Sequence, residues 1–409
     1  MIKRVLVFLY VFTQILFYDN LTIVPKLVGV MLVISTISSL NVTTKKSLTK
    51  APIVCLFLLL LHAIVSVIFY PNLEYVQGLI SFTLIAVLLY FFYLTVLVHQ
   101  LWRTAIWGFV LGIYVNFFLV LFFPTSFELA GEWGRVDGTL GNANYFGFMV
   151  NFSIVFYIWL KETSTVKIPI ILDLVVFSIS AYHIILSGSK SNMCLFVLVV
   201  FTLLIMTVIN SGKIKLLKHL ILIITLSLSV FVFLPNIFSD LIDNDSSVFR
   251  RLIYMGNFIS GDRILGSSDL TRLELVKFGL LHWLDKPFFG HGFDSFSFMS
   301  GFGYYSHNNI VENLYNGGIF GFTVFYSLYL FYFRSFKVLV SQKIINVKIP
   351  ILLLIIFVVM EFFIVMIDDK LIWLILLILL AYVENNFKKN RNNRFLNTKE
   401  FALGTHHAN

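Results

Sequence analysis

The chain has 409 residues, of which 59% are hydrophobic and only 12% charged. So apolar a composition excludes a water-soluble globular protein and defines a multispanning membrane protein. The formal net charge of +9 would suggest nucleic acid in a soluble chain; here its distribution is topological, and no nucleic-acid partner is inferred.

Taken in order, Lys3 and Arg4 precede an apolar run from Val5 to Phe17 that resembles a signal peptide. No small-residue cleavage site follows, so the run reads as a first span that stays. Segments long enough to cross a bilayer, or nearly so, recur at 21–40, 51–70, 79–98, 104–123, 145–160, 168–186, 192–210, 220–235, 310–333, 349–367 and 371–383. The expected fold is an all-α polytopic membrane protein of about 12 transmembrane helices, ten or eleven being the alternative count. Cys55 and Cys194 both lie inside apolar runs, which supports neither a disulfide framework nor a thiolate metal site.

Orientation follows from the basic residues, because cytoplasmic loops carry an excess of Lys and Arg. With the N-terminus inside, 20 of the 30 basic residues fall in the cytoplasm, and every cytoplasmic connection carries at least one. Both termini are then cytoplasmic. Residues 1–235 hold helices one to nine with a medium external loop at 124–144. Residues 236–309 form a large external loop, 310–383 hold helices ten to twelve, and 384–409 form a basic tail, expected to be mobile and to favour anionic headgroups.

The large loop is far longer than a helix connection needs and is rich in Phe, Leu and Ile, which favours an ordered binding segment over a spacer. Within it, 269–286 reads as an amphipathic interfacial helix, with Leu273, Val276, Leu280 and Leu284 on one face, Arg272 near its start, and Pro287 ending it.

Candidate chemistry gathers on the external side. His307 and Asn308 stand where a polar segment runs into an apolar, glycine-punctuated one. Histidine exchanges protons near neutrality, so His307 is a candidate acid or base; the alternative is that His307 and Asn308 cap or anchor the following helix. The medium loop contains Gly134-Arg135-Val136-Asp137-Gly138-Thr139-Leu140-Gly141-Asn142-Ala143-Asn144. It could bring backbone N–H groups and amides to a ligand, or form a plain turn before helix six. Lys190 lies in Ser187-Gly188-Ser189-Lys190-Ser191, where a lysine at a membrane boundary can also simply snorkel.

Sixteen acids share that side, so any anion site must be local, built from converging cations such as Arg135, Lys190 and Arg272. Asp243-Asn244-Asp245 has the spacing with which many glycosyltransferases hold a divalent cation. A pair of aspartates in a polar loop is usually solvated, and no metal site is assigned. Asp173 and Glu361 are expected near mid-membrane, lining an internal path or accepting helix-to-helix hydrogen bonds.

Together these residues resemble the superfamily of O-antigen ligases and Wzy-type polysaccharide polymerases. Its ligase pattern, His followed by Asn, Ser or Gln, nine residues, then Gly-x-x-Gly, is matched by His307-Asn308 and Gly318-Ile-Phe-Gly321. Three further features resemble it: Arg135 within its Gly-Thr-Leu-Gly-Asn-x-Asn segment, the Leu-Ser-Gly-Ser-basic-Ser helix end, and Arg272 preceding Asp285-Lys-Pro287-Phe-Phe-Gly290-His-Gly292-Phe. Lys190 stands where the family more often has Arg, and Phe322-Thr323 follows the motif in place of a threonine pair, which leans towards a polymerase.

The resemblance implies a metal-independent glycosyltransferase without cofactor in the cytoplasmic membrane, acting on undecaprenyl-diphosphate-linked glycans at the external face. It implies that Arg272, Arg135 and Lys190 hold the diphosphate and that His307, supported by Asn308, orients or deprotonates the attacking hydroxyl. A chain-length regulator is a candidate partner beside the bilayer. Gly317 and Gly321 are also spaced for close helix approach. The rival functions are a ligase of the same superfamily and, from another class, a polysaccharide flippase, for which Gly- or Pro-broken helices in two related halves would be expected.

Overall fold

The computed structural model describes residues 1–18, 23–38, 51–69, 73–122, 138–164, 169–211, 267–342, 348–366 and 369–404. The expected span at 220–235, Arg135, the Asp243–Asp245 pair and the large loop before Ser267 lie outside them. Among the described residues there are thirteen α-helices and one 3-10 turn, and no strand. In lipid, backbone groups must be satisfied within the segment, so apolar runs of this length become helices.

The helices are α1 (Ile2–Leu16), α2 (Ile23–Ile37), α3 (Ala51–Phe69), α4 (Leu73–Val98), α5 (Trp102–Phe122), α6 (Ala143–Thr163), α7 (Ile170–Ser187) and α8 (Lys190–Ser211). There follow α9 (Ser267–Trp283), the single turn α10 (Phe296–Met299), α11 (Asn309–Ser341), α12 (Lys348–Met360) and α13 (Lys370–Gly404). Five are long and apolar enough to cross a membrane: α4, α5, α6, α11 and α13, while α2, α3, α7, α8 and α12 supply shorter apolar helices. The chain is thus a multi-pass membrane protein. The most enclosed long helix is α6, with 89% of its apolar window buried, packed among α5, α7, α8 and α12.

The two ends of the bundle differ. At one, Lys3 Nζ lies 2.9 Å from His99 Nε2, Arg103 donates to the Thr163 carbonyl at 2.8 Å, and Lys161 pairs with Asp173. The other carries the 3-10 turn, the α7–α8 turn, α9 and His307. Both acids expected near mid-membrane lie by helix ends. Asp173 lies in the first turn of α7, where Lys161 and Tyr157 of α6 donate to it, so it accepts helix-to-helix hydrogen bonds. The span expected to 367 stops at Met360, and Glu361 turns back beside the start of α11. At the C-terminus, α13 runs on through the basic tail to Gly404.

Helix α9 forms close to the expected range. It packs on α11 through buried Leu275 and through Gly279, where an added Cβ would meet Val311 Cγ1 at 2.4 Å. Leu270, Leu273, Leu280, Leu281 and Leu284 stay exposed and continue into exposed Phe288 and Phe289. That apolar face suits a helix lying in a bilayer interface.

The 33-residue α11 is interrupted at Gly318 (φ 57°, ψ −161°), a conformation effectively confined to glycine. Segment 287–292 fills the interruption: His291 N–H and Gly292 N–H donate to the Tyr315 and Asn316 carbonyls at 2.8 and 3.0 Å. In return Ile319 N–H and Phe320 N–H donate to the Pro287 and Phe288 carbonyls at 2.8 and 3.0 Å. The first glycine of the Gly-x-x-Gly motif therefore admits a loop backbone, not a neighbouring helix.

Candidate functional site

His307 sits immediately before α11 in the left-handed region, with φ 55°. Non-glycine residues are uncommon there, and such backbone persists only when its surroundings hold it. Ser306 and Asn308 bracket it: Ser306 Oγ donates to the Asn308 carbonyl at 2.8 Å and accepts from Asn308 N–H at 3.3 Å. The imidazole packs on Tyr305, ring centroids 4.2 Å apart. Its Nδ1 is buried without a hydrogen-bond partner among the described residues.

Arg272, half-buried on the first half of α9, is close enough for its charge to act on His307. Burial first, and the guanidinium second, hold the imidazole pKa down to about 4. At neutral pH the ring is uncharged and able to accept a proton. Among the described residues Arg272 has no carboxylate within ion-pairing distance, so its fork is available to an anion. The structure thus brings together Arg272 and His307, which are 35 positions apart in the chain.

Asn308 is the N-cap of α11, its Oδ1 accepting Val311 N–H at 3.1 Å. That is the anchoring alternative raised by its sequence position; any substrate contact falls to its Nδ2. Lys190 is the first residue of α8 and exposed. It is tied indirectly to His307. Two residues on, Asn192 Nδ2 donates to the Asn144 carbonyl at 2.7 Å, and Asn142, the N-cap of α6, donates from Nδ2 to Tyr305 Oη at 3.1 Å. The described part of the medium loop, 138–144, is consumed by such anchoring. Thr139 Oγ1 donates to the Ile15 carbonyl at 2.8 Å and accepts from Asn116 Nδ2 at 2.7 Å. Gly138 (φ 58°) lies where a Cβ would meet Asn116 Oδ1 at 2.5 Å. The turn reading holds for these residues.

Glu312 and Asp294 were not singled out by sequence, whereas Glu361 was. Glu312, 1% exposed, accepts from Ser306 N–H at 2.7 Å and from Asn316 Nδ2 at 3.2 Å. Asp294, also left-handed (φ 56°), is exposed in surface area yet densely surrounded. Burial and the nearby Glu312 raise its carboxyl to about 6. Glu361 accepts from Asn309 Nδ2 at 2.9 Å while its carbonyl takes Asn309 N–H at 2.8 Å, binding the α12 end to the residue two beyond His307. An acid in the first turn after a capping Asn was the available signal for Glu312; Asn142 belongs to the amide-rich segment noted in the sequence, and nothing local marks Tyr305.

Fold and site define a class: a helical membrane protein presenting, at one end of its bundle, a neutral imidazole and a guanidinium with no carboxylate partner among the described residues. Residues 174–326 match the family model described as O-antigen ligase (Wzy_C), so the chain carries a domain of the O-antigen ligase and Wzy-type superfamily. The match contains Lys190, Arg272, His307, Asn308 and the Gly318–Gly321 motif. The family implies glycosyltransferase-type enzyme activity. No curated protein matches the chain.

Proposed function

We propose that this protein is a Wzy-type polymerase, which joins undecaprenyl-diphosphate-linked oligosaccharide repeats into a surface polysaccharide at the external face of the cytoplasmic membrane. The observation that carries it is the proximity of neutral His307 to Arg272, which has no carboxylate partner among the described residues, inside the segment matched to the O-antigen ligase family. Lys3, Arg103, Lys161, Arg334 and Lys337 lie towards the opposite end of the bundle, which supports an external site because basic residues mark the cytoplasmic side.

In the proposed reaction a sugar hydroxyl of the acceptor attacks the anomeric carbon of the donor. The new C–O bond forms as the bond to the diphosphate breaks, the lipid diphosphate leaves with the electron pair, and the hydroxyl proton passes to His307. Arg272, with Arg135 and Lys190, meets the charge on the leaving group, so the step needs no metal. Lys190 supplies a point charge where an Arg would give a two-pronged contact. Diphosphate bound at Arg272 would offset the guanidinium charge that depresses His307, making the imidazole more basic only when donor is present.

The other reading is a ligase, which would pass the finished glycan to lipid A core or another carrier; it is favoured by the description of the matched family. The two are separated by the length distribution of lipid-linked glycan in cells carrying wild type, His307→Ala or Arg272→Ala at verified membrane levels. Accumulation of single repeats on the external face supports the polymerase. Long lipid-linked chains that never reach a carrier make it a ligase, and single repeats held on the cytoplasmic face make it a transporter and overturn the site.

A further inference from the structure

Glu312 is an unusual residue to bury. A carboxylate near a helix N-terminus is favoured by the helix dipole even when exposed, yet this one is 1% exposed in the first turn of α11. Burial of a charge is expensive unless its oxygens are met by donors, and here both are. Oε2 accepts Ser306 N–H at 2.7 Å, one residue before His307, and Oε1 accepts Asn316 Nδ2 at 3.2 Å. The Oδ1 of that same Asn316 gathers three donors from another segment: Ser295 N–H at 3.1 Å, Ser295 Oγ at 3.0 Å and Phe296 N–H at 2.9 Å. One buried carboxylate and one buried amide therefore join α11 to the 294–296 turn and to the loop that carries His307.

We propose that Glu312 is a positioning residue for His307. It fixes Ser306 through its N–H while Asn308 fixes Ser306 through Oγ, so the residue between them must take the left-handed backbone observed, φ 55°. Tyr305, held by Asn142 at 3.1 Å, packs on the imidazole. Glu312 does not touch substrate; it sets the direction from which His307 meets the attacking hydroxyl. Misplacing a catalytic group by about 1 Å can cost a hundredfold in rate, which is the scale on which the residue acts. The inference rests on His307 acting as proposed above.

The test has two arms, both on purified full-length protein. In the first, transfer from a synthetic lipid-diphosphate-linked glycan is measured for wild type, E312M and E312Q. Methionine keeps the volume and removes the acceptors; glutamine keeps an oxygen for Ser306 N–H. The expected result is a kcat for E312M lower by about 30- to 100-fold with KM within about twofold, and recovery to within about fivefold in E312Q. A merely structural residue would lower the amount of folded protein and leave kcat per folded molecule unchanged. In the second arm, with Cys55 and Cys194 replaced by Ser, the alkylation rate of His307→Cys is compared with Glu312 present or replaced by Met; a change of about fivefold or more is expected, whatever the transfer activity. Should E312M fail to accumulate, E312A is measured in its place under the same criteria.

Wild-type kcat in E312M, a change confined to KM, a glutamine variant no better than methionine, or an unaltered alkylation rate would each overturn the proposal. If His307→Ala transfers at the wild-type rate, the assignment of His307 fails instead. If it is inactive while E312M is not, only the role of Glu312 fails.

Discussion

Replacing Gly318 by alanine should disrupt the site end of the bundle, whereas the same change at Gly317 or Gly321 should not. At Gly318 the backbone stands at φ 57° and ψ −161°, a region whose occupation by a non-glycine residue costs about 1–3 kcal/mol. An added Cβ would also meet the Phe288 carbonyl carbon and oxygen at 2.5 Å and Gly290 N at 2.7 Å. To relieve the clash, segment 287–290 must withdraw and give up the Ile319-to-Pro287 and Phe320-to-Phe288 hydrogen bonds, each worth about 0.5–1.5 kcal/mol. The sum is about 2–6 kcal/mol. At Gly317 and Gly321 the nearest atoms to an added Cβ are 3.9 and 4.0 Å away, and alanine in a helical conformation is favoured over glycine by about 0.5–1 kcal/mol. Thermal midpoints in detergent by fluorescence-detected size exclusion, with proteolysis of the 283–295 segment as a local probe, rank the three variants. G317A or G321A as damaging as G318A would refute the reasoning and restore helix-on-helix packing as the purpose of the glycines.

Asn308→Ala should lower the thermal midpoint by the equivalent of about 0.5–2 kcal/mol through loss of the N-cap, and Asn308→Ser or Asp should restore it; activity that tracks the midpoint across the three identifies capping as the residue's main task. The pH dependence of transfer should differ between kcat/KM and kcat. His307 in the free protein is held at about 4 by burial and by the Arg272 charge, so its protonation should cut kcat/KM only near pH 4. With the donor diphosphate on Arg272, the imidazolium is less disfavoured, and the acid limb of kcat should lie at higher pH. Coincident limbs, measured from pH 3.5 to 8, would show that donor and Arg272 do not meet.

What could be read from sequence divides along the range of the forces involved. Hydropathy located the helices because lipid demands internally bonded backbone wherever the chain is apolar. It placed their ends poorly. The span expected to 367 stops at Met360 because Glu361 is drawn to Asn309 and Tyr326 on another helix, a tertiary contact invisible in a local window. Asp173 and Glu361 lie by helix ends and accept helix-to-helix hydrogen bonds. His307 was picked out as a candidate because its spacing to the Gly-x-x-Gly pair matches a motif, and Arg272 because it is a cation on the external side preceding a segment that resembles the same family. The function of Gly318 was not, since its clash partners lie about 30 residues upstream and the spacing 317–321 fits helix packing equally well. Glu312 was visible only as one of many acids on that side, and what distinguishes it is burial and two donors. Nothing close to Gly321 explains why that position is glycine.

The broken helix bears on the choice between enzyme and transporter. Interrupted helices in transporters leave helix ends and unwound carbonyls open to coordinate cargo, and α11 is interrupted at Gly318. Here the exposed groups are already taken. The Tyr315 and Asn316 carbonyls accept from His291 and Gly292, and the Ile319 and Phe320 N–H groups donate to Pro287 and Phe288. The break therefore presents little free backbone to a passing ion or sugar. What it does is hold the Pro287–Gly292 segment against the helix that begins two residues after His307, and through Asn316 it fixes the 294–296 turn alongside. A helix spent on immobilising a loop suits a site that must keep an imidazole and a guanidinium in fixed relation during bond making, because chemistry needs sub-ångström constancy. It suits alternating access less well, because opening the break would forfeit four backbone hydrogen bonds at once.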